Sequence, residues 1–437
     1  MTRAISKSVA SSVAVAAALA ALAALAACEA GPGSKPTATT AGSAGAPGPD
    51  MAEGGSPSLA TAGTSTGRAG AGGNSQAEIA GAASHAGGAG GGAGDGAGAA
   101  GVGNEGCDAA SVGDLEVYLH SSNWDALGYP PYAFDGCTLL YVASGSAPGT
   151  LRLRNLATGE DTALESATSK PRRPTISGSV IAWEADGPAG SEVRVRAGGS
   201  VVTLAGAFVR AEEPRATDDA VVFTAFLGPG PNDDSDVYLF EVATGQLSVV
   251  ASGPGQQRFA DVSPTHVAIT DFSEDPQGYF NEVSSISDIA LIERATGMRS
   301  NRPAAGKQAF PLLGADGVFA YLEWAAVHPE PKLGQFWLKA GHLARPVSED
   351  FNVKITGQVS TNPAYVRPSL RGLNLDFVDQ GTDGVALYRA ALGTPGSLVS
   401  SKITGSLQLF GPVAGDRFTL LANQRVAQSY TLLAVPR

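Results

Sequence analysis

Residues 174–183 read PTISGSVIAW, and two later stretches, PRATDDAVVF at 214–223 and DVSPTHVAI at 261–269, repeat the pattern. In each stretch a short strand enters a polar turn, and a strongly apolar strand follows. From residue 107 to residue 437, short apolar runs alternate with Gly, Pro, Asp and Thr, and amphipathic helical periodicity is nearly absent. Regular short strands with turn signals predict an all-β domain over this range.

The pattern recurs seven times. In three copies a second strand pair ends in a Thr-Gly turn, at Gly159, Gly245 and Gly297, where glycine suits a hairpin residue with positive φ. A four-stranded unit of this length is a propeller blade, so we predict a β-propeller of seven four-stranded blades. If the weaker copies near Leu312 and Leu370 are miscounted, the propeller has six blades. A β-sandwich with chance periodicity is the alternative fold. The first-strand anchors are Phe134, Ile176, Ala216, Val262, Leu312, Leu370 and Val413.

The repeats resemble those of the TolB-like or PD40 propeller family. Blades of that family read roughly as Pro-x-apolar-Ser-x-Asp-Gly, an apolar strand, and an acidic residue before an apolar-Tyr-apolar strand that ends in a Thr-Gly turn. Residues 236–245, DVYLFEVATG, match the second half of this pattern. The resemblance spans roughly residues 134–437, although several copies lack the Asp-Gly or the Thr-Gly pair. It implies the fold and, by analogy, a platform for protein interactions.

Residues 115–119, LEVYL, alternate like a strand but have no blade of their own, whereas the last copy has only three strands. We therefore predict that this run completes the last blade and removes an exposed sheet edge. Cys107 and Cys137 remain if Cys28 is lipidated. In an oxidising compartment such a pair forms a disulfide, which would pin the N-terminal strand to the first blade, and two independent thiols are the alternative.

The first 27 residues have the features of a signal peptide. Arg3 and Lys7 give a positive start, and residues 9–27 are uncharged and rich in Ala, Val and Leu. Residues 25–28, LAAC, resemble the bacterial lipobox, so we expect cleavage before Cys28 and lipidation of its thiol. An ordinary secretory signal with a chance cysteine is the alternative. The expected location is the outer membrane or cell surface, lipid-anchored, with a periplasm-facing orientation as a further option.

Residues 28–106 follow as the lipidated cysteine and a linker of Gly, Ala, Ser, Thr and Pro. Such a segment cannot bury enough apolar surface to offset its ordering entropy, so we predict a disordered tether with an r.m.s. span of ~50 Å. The formal charge of −12 becomes −14 once Arg3 and Lys7 are removed. This charge argues against nucleic acid and against an anionic membrane surface, which leaves membrane contact through the lipid anchor only. The domain, 107–437, is expected to be monomeric.

Long loops on one face of the propeller are the expected binding surface. Loops between second and third strands open on one face of a propeller, and loops on a rigid scaffold commonly bind ligands. Here they are rich in Gly, Pro and acidic residues, although solvation alone would also explain the charges. Trp324, beside His328, could line a pocket or pack in the core. The candidate binding rim is Asp186, Asp233, Asp234, Asp236, Asp271, Asp275, Trp324 and Asp379.

A calcium site is the alternative reading of three residues in this loop region. Asn232, Asp234 and Asp236 alternate like the start of a calcium loop, but Val237 and Ala243 occupy the positions where an EF-hand has Gly and Glu. No cofactor is therefore predicted, with a looser Ca²⁺ site at these three residues as the alternative. The five histidines lack metal-ligand spacing, and we assign no catalytic residue.

A binding module is the favoured function, with an envelope protein or a glycan as partner. The alternative is a polysaccharide-acting hydrolase or lyase on the propeller scaffold. A hydrolase would require two carboxylates about 5 to 10 Å apart at a central pocket.

Overall fold

The computed structural model describes residues 107–120, 129–143, 148–280, 286–303, 307–324, 336–355, 367–381, 384–392, 400–405, 409–426 and 429–437. The predicted signal peptide 1–27, the predicted lipidation site Cys28 and the predicted tether up to residue 106 lie outside the described residues. Among the described residues, no helix has the length and apolar character needed to cross a membrane.

The described chain is built almost wholly from strands. A helical turn, α1 (Ala109–Val112), and three short 3₁₀ turns, Ala167–Ser169, Ala315–Gly317 and Val347–Glu349, are its helical elements. The strands are β1 Asp114–His120, β2 Tyr132–Asp135, β3 Thr138–Ala143, β4 Thr150–Asn155, β5 Asp161–Glu165, β6 Arg172–Ser177, β7 Val180–Asp186, β8 Ser191–Ala197, β9 Ser200–Thr203, β10 Arg210–Ala216, β11 Ala220–Phe226, β12 Ser235–Glu241, β13 Gln246–Ala251, β14 Gln257–Val262, β15 His266–Asp271, β16 Asp288–Glu293, β17 Arg299–Arg302, β18 Lys307–Leu313, β19 Val318–Trp324, β20 Phe336–His342, β21 Phe351–Ile355, β22 Ser369–Arg371, β23 Asn374–Gly381, β24 Gly384–Ala391, β25 Ser400–Gly405, β26 Leu409–Ala414, β27 Phe418–Val426 and β28 Ser429–Pro436.

These strands form seven four-stranded antiparallel sheets in a ring, which confirms the predicted seven-bladed propeller. Blades 1 to 6 each use four consecutive strands, from β2–β5 to β22–β25, with the first strand innermost. Blade 7 has the order β26-β27-β28-β1. The predicted hairpin glycines Gly159, Gly245 and Gly297 have φ values of 77°, 67° and 70°, so their placement in left-handed turns is confirmed.

Blade 7 is closed by the strand that precedes blade 1, as predicted. Leu115 of β1 pairs with Leu432 of β28, and His120 pairs with Ser429. A disulfide joins Cys107, just before α1, to Cys137 in the β2–β3 turn, with Cα atoms 5.6 Å apart. The first strand is thereby bonded to blade 7 through its backbone and to blade 1 through the disulfide.

The hydrophobic core lies in layers between neighbouring blades. One layer joins Val193 and Val195 of blade 2 to Phe223 and Phe240 of blade 3. Trp183 packs in the layer between blades 1 and 2 and is 0% exposed. Because each blade covers the apolar face of the next, the ring holds the innermost strands in fixed positions around its axis.

A bulge recurs in the innermost strands of the blades. Register shifts interrupt the pairing of five of these strands with their neighbours. At each bulge one residue has positive φ, and a proline follows it in four of the five. Proline suits this position because it has no N–H to contribute to the ladder. The positive-φ residues are Arg173, Glu213, Phe259, Phe310 and Gly411.

Candidate functional site

Three acids of the predicted rim are engaged in internal contacts. Asp186, the last residue of β7, makes ion pairs at 2.7 Å with both Lys170 and Arg172. Burial acts to raise the pKa of Asp186, but hydrogen bonds from these two cations outweigh it and lower that pKa. Asp271, the last residue of β15, is 7% exposed and forms an ion pair with Arg299.

Asp275 organises its own loop. It is 8% exposed, and its two carboxylate oxygens accept hydrogen bonds from the amides of Gln277, Gly278 and Ile286 at 2.8, 3.0 and 2.6 Å. A carboxylate with this many local donors is committed to the loop fold, which leaves little capacity for a partner.

The β11–β12 loop holds the rim acids that face solvent. Asp234 is exposed, whereas Asp233 accepts a hydrogen bond from the Gly230 amide at 2.6 Å. Asp236 lies within β12, and burial raises its pKa. Among the described residues, no group of three or more His, Cys, Asp or Glu side chains is placed to hold a metal ion, so Asp234 and Asp236 belong to none. Asn232, the third member of the Ca²⁺ alternative, is exposed.

Two rim residues lie in strands rather than in loops. Asp379 lies inside β23 and is 7% exposed. Trp324 is the last residue of β19, and its side chain lies outside what the structure describes. The rim residues therefore occur in strands, strand ends and loops of five different blades.

A cavity of about 130 Å³ lies where the innermost strands converge. All seven innermost strands contribute to its lining, so it lies on the axis of the ring. One lining residue from each blade, in order, is Tyr132, Pro174, Arg215, Asp261, Leu312, Ser369 and Val413.

Three arginines of the lining surround Tyr129. The guanidinium carbon of Arg367 lies 3.4 Å from the centre of the Tyr129 ring, and those of Arg215 and Arg173 lie at 5.1 and 5.2 Å. Tyr129 is 3% exposed, and its hydroxyl has no hydrogen-bond partner among the described residues. Burial raises the pKa of Tyr129, against the lowering effect of the arginines, so the hydroxyl keeps its proton at neutral pH. The cavity thus presents guanidinium groups and a phenolic donor.

The three arginines differ in their partners. Arg173 forms ion pairs with Glu184 at 2.8 Å and Glu212 at 3.1 Å. Arg215 is half-buried, its Nε is buried without a hydrogen-bond partner, and no ion pair joins it to a described residue. Burial lowers the pKa of Arg367, which is 4% exposed.

The first-strand position that Arg215 occupies in blade 3 holds a hydrogen-bond acceptor in blades 2, 4 and 6. In blades 2, 4 and 6 the equivalent residue is Thr175, Asp261 or Ser369, and each side chain accepts a hydrogen bond from a backbone amide of the next blade. The donors are Ala216, Leu313 and Ala414, at 3.3, 2.7 and 2.9 Å. Arg215 cannot accept such a bond, because a guanidinium has no acceptor. The Arg215 side chain therefore lines the cavity without making the hydrogen bond to the next blade that its equivalents make.

Asp261 is the carboxylate of the described lining. Burial raises the pKa of Asp261, although Arg215, the Leu313 and Val262 amides and Arg367 act to lower it.

Beside the cavity, a buried ion pair joins blades 3 and 4. Glu213 is 0% exposed, and its carboxylate contacts Arg258 at 2.5 Å, the Thr224 hydroxyl at 2.9 Å and the Phe259 amide at 3.2 Å. Burial acts to raise the pKa of Glu213, but the charges of Arg258 and Arg173 outweigh it and lower the pKa to about 2. The pair fixes the positive-φ bulge of β10 next to Arg215.

A second network ties the far ends of the innermost strands. Arg371, at the end of β22, binds Asp135 of blade 1 at 2.9 Å and Asp416 of blade 7 at 2.8 Å. Asp135 also accepts a hydrogen bond from the Gly178 amide of blade 2 at 2.6 Å. Four successive blades are therefore joined at the ends of their first strands.

Similar solved structures agree with this architecture. The chain is similar to the β-propeller domain of the Trilobed protease from Pyrococcus furiosus, with a TM-score of 0.52 and 12% identity over 73% of this chain and 96% of that one. That domain has an open velcro topology. Here, by contrast, β1 pairs with β28 and closes the ring.

Two further structures are more distant. A putative TolB from Agrobacterium tumefaciens has a TM-score of 0.39 and 12% identity over 52% of this chain and 80% of that one. An oligogalacturonate lyase in complex with manganese has a TM-score of 0.48 and 12% identity over 74% of this chain and 96% of that one. At such identities the similarity concerns the fold alone. No protein-family model matches the chain, and no curated protein matches it.

The sequence prediction missed Tyr129 and the arginines around it. The predicted site lay on acidic loops, whereas the first strands and the residues just before them line the cavity. A usable signal was present, because an arginine adjoins a proline in or just before the first strand of three repeats, at Arg173-Pro174, Pro214-Arg215 and Arg367-Pro368.

Proposed function

We propose that this protein is a lipid-anchored binding module of the bacterial envelope, held at the outer membrane or cell surface. The lipobox-like residues 25–28 support lipidation of Cys28, and the composition of residues 28–106 supports a tether that sets the reach of the propeller. The partner is an envelope protein or a glycan.

The binding role is supported chiefly by the unpaired guanidinium of Arg215 in an axial cavity. A half-buried charge without an ion pair among the described residues is unfavourable for the free protein, and a ligand of opposite charge would offset that cost. Concave sites with a few convergent polar groups are the usual ligand sites of folded proteins.

The cavity gives less support to an enzyme. A glycoside hydrolase uses two carboxylates, and the described lining contributes one, Asp261. A lyase needs a general base that ionises near the working pH, and burial moves the pKa of the Tyr129 hydroxyl away from this range. Burial moves the pKa of Asp261 toward this range, but one oxygen of that carboxylate already accepts the Leu313 amide. Recognition without chemistry is therefore the function that the lining supports best.

The anchor is tested by replacing Cys28. We expect the C28S chain to lose incorporation of a radiolabelled palmitate and to leave the membrane fraction, because a serine cannot form the thioether that holds the lipid. Release should occur without a change in the thermal unfolding of the propeller. A C28S chain that stays in the membrane fraction would show that something other than this lipid holds the protein there.

The binding surface is tested by recovering partners of the tagged full chain from detergent-solubilised envelopes, with and without chelator. Arg215→Gln removes the cavity charge, and Asp234→Asn removes an exposed rim charge. Arg196→Gln is the matched control, because Arg196 is half-buried in β8 and has no ion pair with a described residue. We expect a specific partner to be lost with R215Q and retained with R196Q. Loss with D234N alone would assign binding to the acidic rim, and loss with chelator would require a metal.

A further inference from the structure

The lining of the axial cavity has a surplus of positive charge. It includes three guanidinium groups, Arg173, Arg215 and Arg367, and one carboxylate, Asp261. Arg173 is already paired with Glu184 and Glu212. The charge that remains to be balanced is thus small, and it is centred on Arg215. A singly charged anion matches it better than a doubly charged one, which Asp261 would also repel.

Tyr129 adds a hydrogen-bond donor next to this charge. Its hydroxyl is buried and lacks a partner among the described residues, and the Arg215 guanidinium carbon lies 5.1 Å from its ring. Buried polar groups are nearly always hydrogen-bonded in folded proteins, so a buried donor without a partner points to a missing acceptor. A carboxylate can accept from a phenol and from a guanidinium at the same time.

The size of the cavity limits what can enter. A volume of about 130 Å³ is slightly below the ~150 Å³ of a cavity that admits benzene. Pro174, Pro214, Pro368 and Pro412 restrict the lining backbone, so little widening is expected. This volume favours a carboxylate on a slender stem over a sugar ring with its substituents.

We propose that the axial cavity binds the carboxylate of an acidic peptide segment, with Arg215 as the main contact and Tyr129 as a second donor. This inference rests on the binding role proposed above and specifies its ligand class. The peptide inserts one acidic side chain or its terminal carboxylate into the cavity, and the rest of the partner lies outside. Arg367, stacked on Tyr129, holds that ring in place and adds positive potential.

The test measures binding of short peptides to the full lipidated chain in detergent by calorimetry. The probes are a hexapeptide with one central Glu and an amidated C-terminus, and its Gln counterpart. The same hexapeptide pair with a free C-terminus probes the terminal carboxylate. We expect the carboxylate-bearing forms to bind, and R215Q to weaken binding by about 10- to 100-fold, the range for a hydrogen bond to a charged group. Arg196→Gln should leave the affinity unchanged.

A second variant changes affinity in the opposite direction. Asp261→Asn removes the negative charge of the lining, while its amide oxygen can still accept from Leu313. We expect D261N to tighten binding by about threefold or more, because a repulsive charge is lost. R215Q and D261N should both unfold at temperatures close to that of the wild type, so that a folding defect is separated from a binding defect.

Three results would overturn the inference. Equal binding of the Glu and Gln forms would show that the carboxylate is not recognised. Stronger binding of galacturonate than of the peptides would assign the cavity to a glycan, and stronger binding of inorganic phosphate would assign it to a phosphorylated ligand. If R215Q loses the envelope partner but no peptide binds, the binding module stands and the carboxylate assignment fails. If the full chain recovers no partner but binds the Glu peptide, the envelope partner is wrong and the cavity assignment stands.

Discussion

Replacing Glu213 by Gln is expected to lower the free energy of unfolding by about 3 to 5 kcal/mol, the usual effect of removing one partner of a buried ion pair. Glutamine keeps the shape of the side chain and can still accept from the Phe259 amide, but it leaves the Arg258 charge buried without its counterion. The loss is measured by denaturant unfolding of the wild type and the variant. Glu160→Gln, at an exposed turn, is the matched control and should change stability by less than about 0.5 kcal/mol.

A double variant separates loss of the pair from a general packing defect. Arg258 lies 5.0 Å from the centre of the Phe226 ring and 4.7 Å from that of Phe259, so a methionine at position 258 can pack against both. E213Q/R258M should therefore be more stable than E213Q alone, because no uncompensated charge remains. A double variant as unstable as E213Q would contradict the assignment of the loss to the Arg258 charge.

The same ion pair predicts how stability depends on pH. The pKa of Glu213 is lowered in the folded protein to about 2 from an ordinary value of 4.5. Its contribution is therefore fully present above about pH 4.5 and is lost as the pH falls from there toward 2. E213Q should show a shallower loss of stability than the wild type across this interval.

Breaking the Cys107–Cys137 disulfide is expected to have an effect of similar size. The bond closes a loop with a sequence separation of 30 residues, and loop-closure entropy assigns such a crosslink ~3 to 4 kcal/mol. The C107S/C137S chain should be less stable than the wild type by about this amount in denaturant unfolding. The bond joins the segment before β1, the strand that completes blade 7, to the β2–β3 turn of blade 1. Its loss therefore weakens the link between these two blades.

Reductant provides the control for this second prediction. Wild-type protein unfolded and refolded with reductant should have the stability of C107S/C137S, whereas the variant should not respond to reductant. If the wild type is equally stable with and without reductant, the backbone pairing of β1 with β28 is enough to keep the ring of blades closed.

The fold was predictable because its signals are local and repeated. The alternating first-strand pattern and the Thr-Gly turns recur in several blades, and each copy reinforces the others. The closing strand could also be predicted, because residues 115–119 had strand alternation without partners and the last repeat lacked one strand. The arrangement of acids was harder to predict. Asp186 reads as a loop acid, yet it pairs with Arg172, which the antiparallel register of β6 and β7 brings beside it.

The cavity could not be located from the sequence in the same way. Arg173, Arg215 and Arg367 are far apart in the sequence, and only the closed ring brings them to one tyrosine. Their shared feature, a neighbouring proline, has its meaning only once the bulge of the first strand is known. The unpaired state of Arg215 depends on what other blades place at the equivalent position, which requires the aligned three-dimensional repeats.

The pairing of β1 with β28 has a consequence for the order of folding events in the export that we propose. Leu115 must find Leu432, 317 residues later in the chain (432 − 115), so β1 is synthesised long before its partner. Loop closure over such a span is slow, and a strand edge that waits unpaired invites aggregation. Under the proposed export to an oxidising compartment, Cys107 and Cys137 lie close enough in sequence to be oxidised once the first hairpin has formed. The crosslink would then hold β1 beside blade 1 until β28, the last strand to be made, reaches it. The final pairing would then require β28 to meet a strand that is already in place.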